Sequence, residues 1–427
     1  MNPLKVAIAT VGCRANQADS ATLVRNLDRR LVRLVDGFKN VDIAIIMSCC
    51  VTAEAERDCR KLARRALSLS PNSRVIITGC AVNAFSDFTE KIHPKIEKWT
   101  TLKSDIGDLA RFINRQAAPD HIPDPSFGLR ESSLGRTRLL LKIQSGCSHG
   151  CSYCIVPRAR GKERSMPRDE VLTNMDRLAA EGALEVVLTG VQLGAWGKDL
   201  SKELHLADLI LEAVSRLFPG RLRLSSLEPW SVDEKLLQTI AEHERICPHL
   251  HLPLQSGDDR ILAKMKRGYN SEEFLKLVET ARRLMPEVAI GTDVVVGFPG
   301  EDKSAHENTI ETLKELRPAY VHAFSYSPRP GTRAEKMPDR PAKEIVRARV
   351  AEIRDFAAQT ARRFRNGEIG KVRELLVEQR VPDGVKGMTE TFVPTIVHDG
   401  SLKPGGLVKI KITDLDKEER LIAEVIK

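Results

Sequence analysis

Between about residues 137 and 330 the sequence repeats one unit six times: a short β-rich apolar run, then a stretch with apolar residues at helical spacing. The runs are 138–143, 185–189, 221–225, 249–254, 288–296 and 320–326. Helical stretches such as 168–181, 206–217 and 271–284 separate them. Strands that are apolar throughout belong in a parallel sheet with helices packed on it. Six successive β/α units therefore predict a partial TIM-type barrel, short of the eight-fold form.

The flanking regions differ. Residues 1 to about 115 also alternate, with strands at 4–11, 41–47 and 74–78 and helices around 21–35 and 53–69, which predicts a Rossmann-like parallel α/β domain. The segment 117–136 is rich in Pro, Gly and Ser and reads as a linker. Residues 341–366 predict one long amphipathic helix, with Val346, Val350, Ile353 and Ala357 on one stripe. Beyond it, alternating runs with turn signals at Pro382-Asp383-Gly384 and Asp399-Gly400 predict a small β-barrel. The chain is thus read as α/β in three domains, 1–116, 133–366 and 367–427.

Composition narrows the setting. The balance of 67 Lys+Arg against 58 Asp+Glu fits a polyanionic partner such as RNA. No apolar run approaches the roughly 20 residues of a membrane span, and no basic leader precedes an apolar stretch. Nine cysteines in 427 residues, odd in number and unevenly spaced, are no disulfide scaffold. A reducing, cytoplasmic compartment with some thiols used for metal is expected.

The densest chemical signal is Cys147-Ser-His-Gly-Cys151-Ser-Tyr-Cys154, on a Gly-containing loop after a strand. Three thiolates satisfy three irons of a 4Fe–4S cube and leave the fourth open. An open iron on a reducible cluster can chelate S-adenosylmethionine (SAM) and pass it an electron. Structural zinc is the alternative; it wants four closed ligands, and His149 or His251 would have to serve as the fourth. A second set is scattered in sequence: Cys13, Cys49 and Cys80 each fall just past a predicted parallel strand. Those strand ends share one edge of an open α/β sheet. Cys50 adjoins Cys49, and strand position does not choose between them. Cys59 and Cys247 read as buried free thiols.

With both sets in place, the sequence resembles the methylthiotransferases, radical SAM enzymes that insert a sulfur and methylate it. TVGCRANQADS, SCCVTAEAER and VIITGCAVN resemble the family's N-terminal cluster motifs, and LKIQSGCSHGCSYCIVPRARGKERS its radical SAM loop. VVLTGVQLGAWG, RLSSLEP, HLHLPLQSGDDRILAKMKRGY, GTDVVVGFPGE and FSYSPRPGT follow in order, and the terminal barrel looks like an RNA-binding TRAM domain. Among branches, VTAEAER, the LGAWG turn and HLPLQSGDD look most like enzymes that place the methylthio group on C2 of N6-threonylcarbamoyladenosine in tRNA, next to the anticodon. Other readings are a ribosomal-protein aspartate methylthiotransferase, the isopentenyladenosine branch, and a non-catalytic iron–sulfur or zinc RNA-binding factor.

The resemblance implies two 4Fe–4S clusters, on Cys147, Cys151 and Cys154 and on Cys13, Cys49 and Cys80, with Cys50 at the family's alanine position. It implies SAM, tRNA, a flavodoxin- or ferredoxin-like electron donor and a sulfur source as partners. Gly190 and Gln192, after the second barrel strand, are expected at the amino end of SAM. Glu228 and Gln255, which end two more strands, and Asp293, on the next, are expected to meet SAM or substrate, and Arg329 is a contact to substrate phosphate or a solvated loop charge. There are two departures. Met47 and Ser48 stand where the family has Asn and Thr. The segment 374–427 carries 8 Lys+Arg against 10 Asp+Glu, so RNA contact is expected instead from 339–373 and from Arg158–Arg168, which includes Arg160.

Overall fold

The structure, a computed structural model, describes residues 2–102, 105–118 and 137–426. The segment read as a linker lies almost wholly outside them.

The N-terminal part runs β1 (Leu4–Thr10), α1 (Arg14–Arg25), β2 (Val32–Leu34), β3 (Ile43–Ser48), α2 (Ala53–Leu69), β4 (Arg74–Gly79), α3 (Cys80–Ala84), β5 (Ile96–Trp99) and α4 (Ile106–Ala117). Its five strands form one parallel sheet in the order β2-β1-β3-β4-β5. Every residue of β3 is buried, as the central strand of a parallel sheet covered on both faces must be. The Thr52 side chain accepts from Ala55 N, which starts α2 where the sequence placed it. The expected helix around 21–35 is corrected. The helix lies earlier, and Val32–Leu34 is the edge strand. Polar Asn16, Asp19 and Ser20 are buried on α1 among Ala15, Ala18 and Leu23, so the apolar stripe of its inward face is interrupted.

The middle of the chain begins with β6 (Arg138–Lys142), β7 (Gln144–Ser145), α5 (Val156–Arg160), β8 (Arg164–Ser165), α6 (Arg168–Ala180) and β9 (Glu185–Thr189). It continues with α7 (Leu206–Arg216), β10 (Arg221–Leu224), α8 (Glu234–Glu242), β11 (His249–His251), α9 (Asp259–Met265) and α10 (Ser271–Leu284). β12 (Ala289–Val296), α11 (Lys303–Leu316), β13 (Tyr320–Ser325) and α12 (Lys343–Asn366) complete it. Parallel sheets β6-β9-β10 and β11-β12-β13 meet through a parallel bridge between Leu222 and Ile246. The six strands thus follow chain order in an open barrel whose edges are β6 and β13. Helix α12 lies along β13 and buries Val350 and Ile353, with Val346 and Ala357 packed beside them.

The last five strands, β14 (Val372–Val381), β15 (Gly384–Thr389), β16 (Pro394–Val397), β17 (Leu407–Leu415) and β18 (Leu421–Val425), close into a barrel in the order β14-β15-β16-β18-β17. It is fastened under the N-terminal ends of the large barrel's strands. There Glu185 lies between Arg221 and Arg223, all at most 2% exposed. Burial alone would raise the Glu185 carboxyl, but the two guanidiniums bring it down to about 2. Arg221 donates to the carbonyls of Glu374 and Met388, and Arg223 to those of Thr389 and Glu390. Glu378 accepts from Arg138 at 2.6 Å, and Arg373 lies between Glu368 and Glu287. Glu374, Glu378 and Glu390 of this segment face Arg221 and Arg138 of the large barrel, so part of its negative charge is spent on docking.

Candidate functional site

Strand ends bring the scattered thiols to one edge. Cys13 follows β1 and caps α1, Cys49 follows β3, and Cys80 opens α3 directly after β4; these strands are neighbours. At Gly12, with φ +100°, a Cβ would lie 2.7 Å from Cys49 Cβ and Sγ, so only glycine lets the two loops approach. Asn16, fully buried, donates to Val11 O at 2.8 Å and Ser48 O at 2.9 Å and ties the same loops together. Cys49 N donates to Cys59 Sγ at 3.3 Å, which gives the first of the bystander thiols a role in shaping the loop. Cys50 packs in an apolar cluster with Ala63, Ala81 and Phe88, and Cys247 is buried near Arg221 and Arg223.

The two departures at β3 are accommodated. Ser48 Oγ donates to Thr78 O at 2.6 Å and accepts from Ala81 N at 3.2 Å, so it braces the loop that carries Cys80. Met47, 1% exposed, fills the apolar cluster of Ile45 and Ile76.

The second set lies between β7 and α5. Gly146, with φ +77°, leaves no room for a Cβ, which would meet Lys162 O at 1.8 Å. Cys147 N donates to Gly161 O at 3.0 Å, and Ser152 donates to Met265 O and Lys264 O. His149 stacks on Trp230, with ring centroids 4.0 Å apart, and its Nε2 lies 3.0 Å from Lys266 O. That ring is thereby held away from the role of fourth ligand.

Two arginines that the sequence reading did not place at the thiols reach them. Arg267, 1% exposed, puts Nη1 3.6 Å from Cys151 Sγ and 3.4 Å from Tyr153 OH, and pairs with Glu228 through Nη2. Arg160 donates through Nε to Cys80 Sγ at 3.2 Å and through Nη2 to Asn16 Oδ1 at 2.6 Å and Asp19 Oδ2 at 3.0 Å. It is 8% exposed, so the expected phosphate contact at this residue is corrected. Arg329 is also corrected: it is buried and paired with Glu56 of α2.

Burial raises these thiols, with Cys49 and Cys154 pushed up to about 12 and Cys147 to about 11. Metal charge is what would hold them as thiolates. A single zinc would draw its sulfurs to roughly 4 Å of one another, given its short tetrahedral bonds. Among the described residues, the one group of three His, Cys, Asp or Glu whose ligand atoms lie within 4.8 Å of each other is His251, Asp293 and His322; neither cysteine set is so tight. Two three-thiol sets of this kind fit cubes with one iron left without a protein ligand.

The other expected residues divide. Gln192 Oε1 lies 3.3 Å from Cys147 Sγ, and Glu228 stands beside Arg267. The space at Gly190 is filled by the Gln144 side chain, about 3.0 Å from where a Cβ would be, which is a packing reason for glycine. Gln255, with φ +70°, is knitted to β12 by hydrogen bonds to Asp293 O and from Val295 N. Asp293 sits between His251 at 3.1 Å and His322 at 3.2 Å, which hold its carboxyl well below the usual range despite burial.

A family model described as the Radical SAM superfamily matches residues 141–313, and one described as Uncharacterized protein family UPF0004 matches residues 5–100. The chain is 34% identical to the threonylcarbamoyladenosine tRNA methylthiotransferase MtaB of Rickettsia prowazekii, over 97% of this chain and 96% of that protein. It is 32% identical to the protein of the same name from Thermotoga maritima, over 91% and 90%. It is 31% identical to the tRNA-2-methylthio-N(6)-dimethylallyladenosine synthase of Helicobacter pylori, over 99% of each. Among solved structures, the radical SAM methyltransferase TsrM of Kitasatospora setae superposes with TM-score 0.56 at 15% identity, covering 78% of this chain and 77% of that one. At that identity the likeness is one of fold.

Proposed function

This chain belongs to the radical SAM methylthiotransferase family, and from that premise we propose that it methylthiolates C2 of N6-threonylcarbamoyladenosine in tRNA. When bound, SAM and the two 4Fe–4S clusters of such an enzyme supply the electron, the hydrogen-abstracting radical, the sulfur and the methyl group. The residues of this chain do the rest. In this reading residues 1–116 carry one cluster on Cys13, Cys49 and Cys80. Residues 133–366 carry the other on Cys147, Cys151 and Cys154, and 367–427 close the barrel's base and add RNA-binding surface.

The observation that carries the reading is the bridge made by Arg160. Arg160 sits at the end of the short helix that follows Cys154 and donates to a thiol of the first set, which supports a reading in which radical chemistry and sulfur supply work side by side. Arg267 neutralises charge at Cys151 and fixes Glu228, which with Gln192 is suited to the polar end of SAM. If the Gln192 amide turns over, it donates to a Cys147 thiolate. Gln255 follows β11, and Asp293 lies within β12. Arg347, Arg354, Arg362 and Arg363 are exposed on α12 and offer a phosphate-tracking face. Electrons and sulfur come from separate partners, a flavodoxin- or ferredoxin-like protein and a sulfur source. No helix among the described residues is long and apolar enough to cross a membrane. All nine cysteines are free, which suits a reducing cytoplasm.

A second reading, on dimethylallyladenosine, has its own support in the relatives of nearly full coverage that bear that name. Mass spectrometry of bulk tRNA from a strain lacking the gene separates the two. Loss of the methylthio form of threonylcarbamoyladenosine, restored by the intact gene but not by Cys151→Ala, supports the first. Loss of the methylthio-dimethylallyl form alone replaces it with the second.

A further inference from the structure

We infer that Arg14 is a specificity residue that pairs with the carboxylate of the base's N6 substituent; this rests on the reading above. Arg14 follows Cys13 directly and points into a cavity of about 470 Å³ between α1, the opening strands of the barrel and the C-terminal barrel. Arg138, Arg223, Lys386, Glu378 and Phe392 also line this cavity. The guanidiniums of Arg14, Arg138 and Arg223 lie 5.1, 5.4 and 5.2 Å from the centre of the one Phe392 ring. Three cations around one ring repel each other.

Two of the three are compensated. Arg138 has Glu378, and Arg223 has Glu185 and two carbonyls. Among the described residues neither the Arg14 nor the Lys386 side chain makes a hydrogen bond or ion pair. A half-buried guanidinium with no carboxylate hydrogen-bonded to it, in a cavity with a cationic excess, is built to receive an anion.

The chemistry of the base supplies one. The threonylcarbamoyl group ends in a free carboxylate, whereas the dimethylallyl group is uncharged and apolar. On adenine, N6 is separated from C2 only by N1 and C6. In this reading a base held with C2 toward the first thiol set directs its substituent into the cavity that Arg14 lines, with Phe392 as the apolar wall. The same pocket penalises the uncharged group, because filling it leaves Arg14 desolvated and unpaired.

The test is binding rather than turnover: fluorescence anisotropy of reconstituted full-length enzyme with labelled anticodon stem-loops. The stem-loops carry threonylcarbamoyladenosine, its primary amide, or plain adenosine at the target position. The intact enzyme is expected to bind the acid at least about tenfold more tightly than the amide, the usual worth of a charged hydrogen bond. Arg14→Gln brings that ratio to about one, and Arg14→Lys retains part of it, which separates lost charge from lost folding. Equal binding of acid and amide by the intact enzyme, both tighter than adenosine, overturns the role of Arg14 and leaves the substrate reading standing. Equal weakening of all three RNAs by Arg14→Gln also overturns it, in favour of a backbone-phosphate contact. If threonylcarbamoyladenosine binds no better than adenosine, the substrate reading itself fails.

Discussion

Arg160 Nε lies 3.2 Å from Cys80 Sγ, although Arg160 is only a short helix beyond Cys154 and Cys80 belongs to the N-terminal sheet. One side chain thus couples the loops of both cysteine sets, and its other nitrogen is held by Asp19, which also pairs with Lys142 of β6. Arg160→Ala leaves Asp19 with Lys142 alone and removes the cation from the thiol loop. The expected cost is about 2 kcal/mol, typical of lost hydrogen bonds to charged groups, read from denaturant unfolding of the apo-protein. Reconstituted Arg160→Ala should also lose iron from the N-terminal set before the barrel set.

Cluster ownership is testable by anaerobic iron and sulfide counts. Two cubes give about eight of each per chain in the intact protein. Cys49→Ala and Cys151→Ala should each fall to about four, whereas Cys50→Ala stays near eight, because Cys50 faces the apolar cluster and not the Cys13 loop. About one zinc and no sulfide in the intact protein would contradict both cluster assignments.

Gly12→Ala tests the close approach of the first two loops. A Cβ there meets Cys49 at 2.7 Å on backbone at φ +100°. The strained conformation alone costs about 1 kcal/mol, and the clash should selectively remove the N-terminal cluster. Iron near four, with the thermal midpoint of the barrel little changed, is the expected result.

Glu185 predicts an acid-sensitive joint between the large barrel and the C-terminal barrel. Its pKa falls on folding, from about 4.5 to about 2, so its stabilisation is fully present above the unfolded value. It is lost as pH falls from about 4.5 through 2, and amounts to roughly 3 kcal/mol by linkage. Unfolding free energy measured from pH 6 to pH 2 should fall over this window, and Glu185→Gln should flatten that part of the profile.

Most of the scaffold was legible in the sequence, because apolar periodicity reports on burial. The six barrel strands, α2 and the long α12 fall where their patterns put them. The cysteine sets were legible for a different reason: strand ends of a parallel sheet converge whatever the loop lengths. What the pattern hid were buried polar groups. Helix α1 turns Asn16, Asp19 and Ser20 inward toward the thiols and the barrel, so its start was misread. Arg160 reads as an RNA contact and Arg329 as a phosphate contact or a solvated loop charge, and Arg267 draws no reading, because nothing local records a partner that is distant in the chain. Of these, Arg160 in CSYCIVPRAR and Arg267 in KMKRGY lie within or beside motifs already singled out, and that adjacency was the available signal.

The exposed arginines of α12 predict a salt effect. Replacing Arg347, Arg354, Arg362 and Arg363 together by Ala should lower the steepness of log affinity against log salt by up to about four phosphate contacts' worth, with iron content unchanged. A slope equal to that of the intact protein would move the RNA face elsewhere.

The central claim is most directly tested with the reconstituted enzyme, SAM, a reductant and one tRNA prepared to carry threonylcarbamoyladenosine or dimethylallyladenosine, followed by nuclease digestion and mass spectrometry. The predicted result is a methylthio group on the threonylcarbamoyl nucleoside, absent with Cys151→Ala and with Cys49→Ala. Methylthiolation of the dimethylallyl nucleoside alone, or of neither while both clusters are intact, would contradict the account.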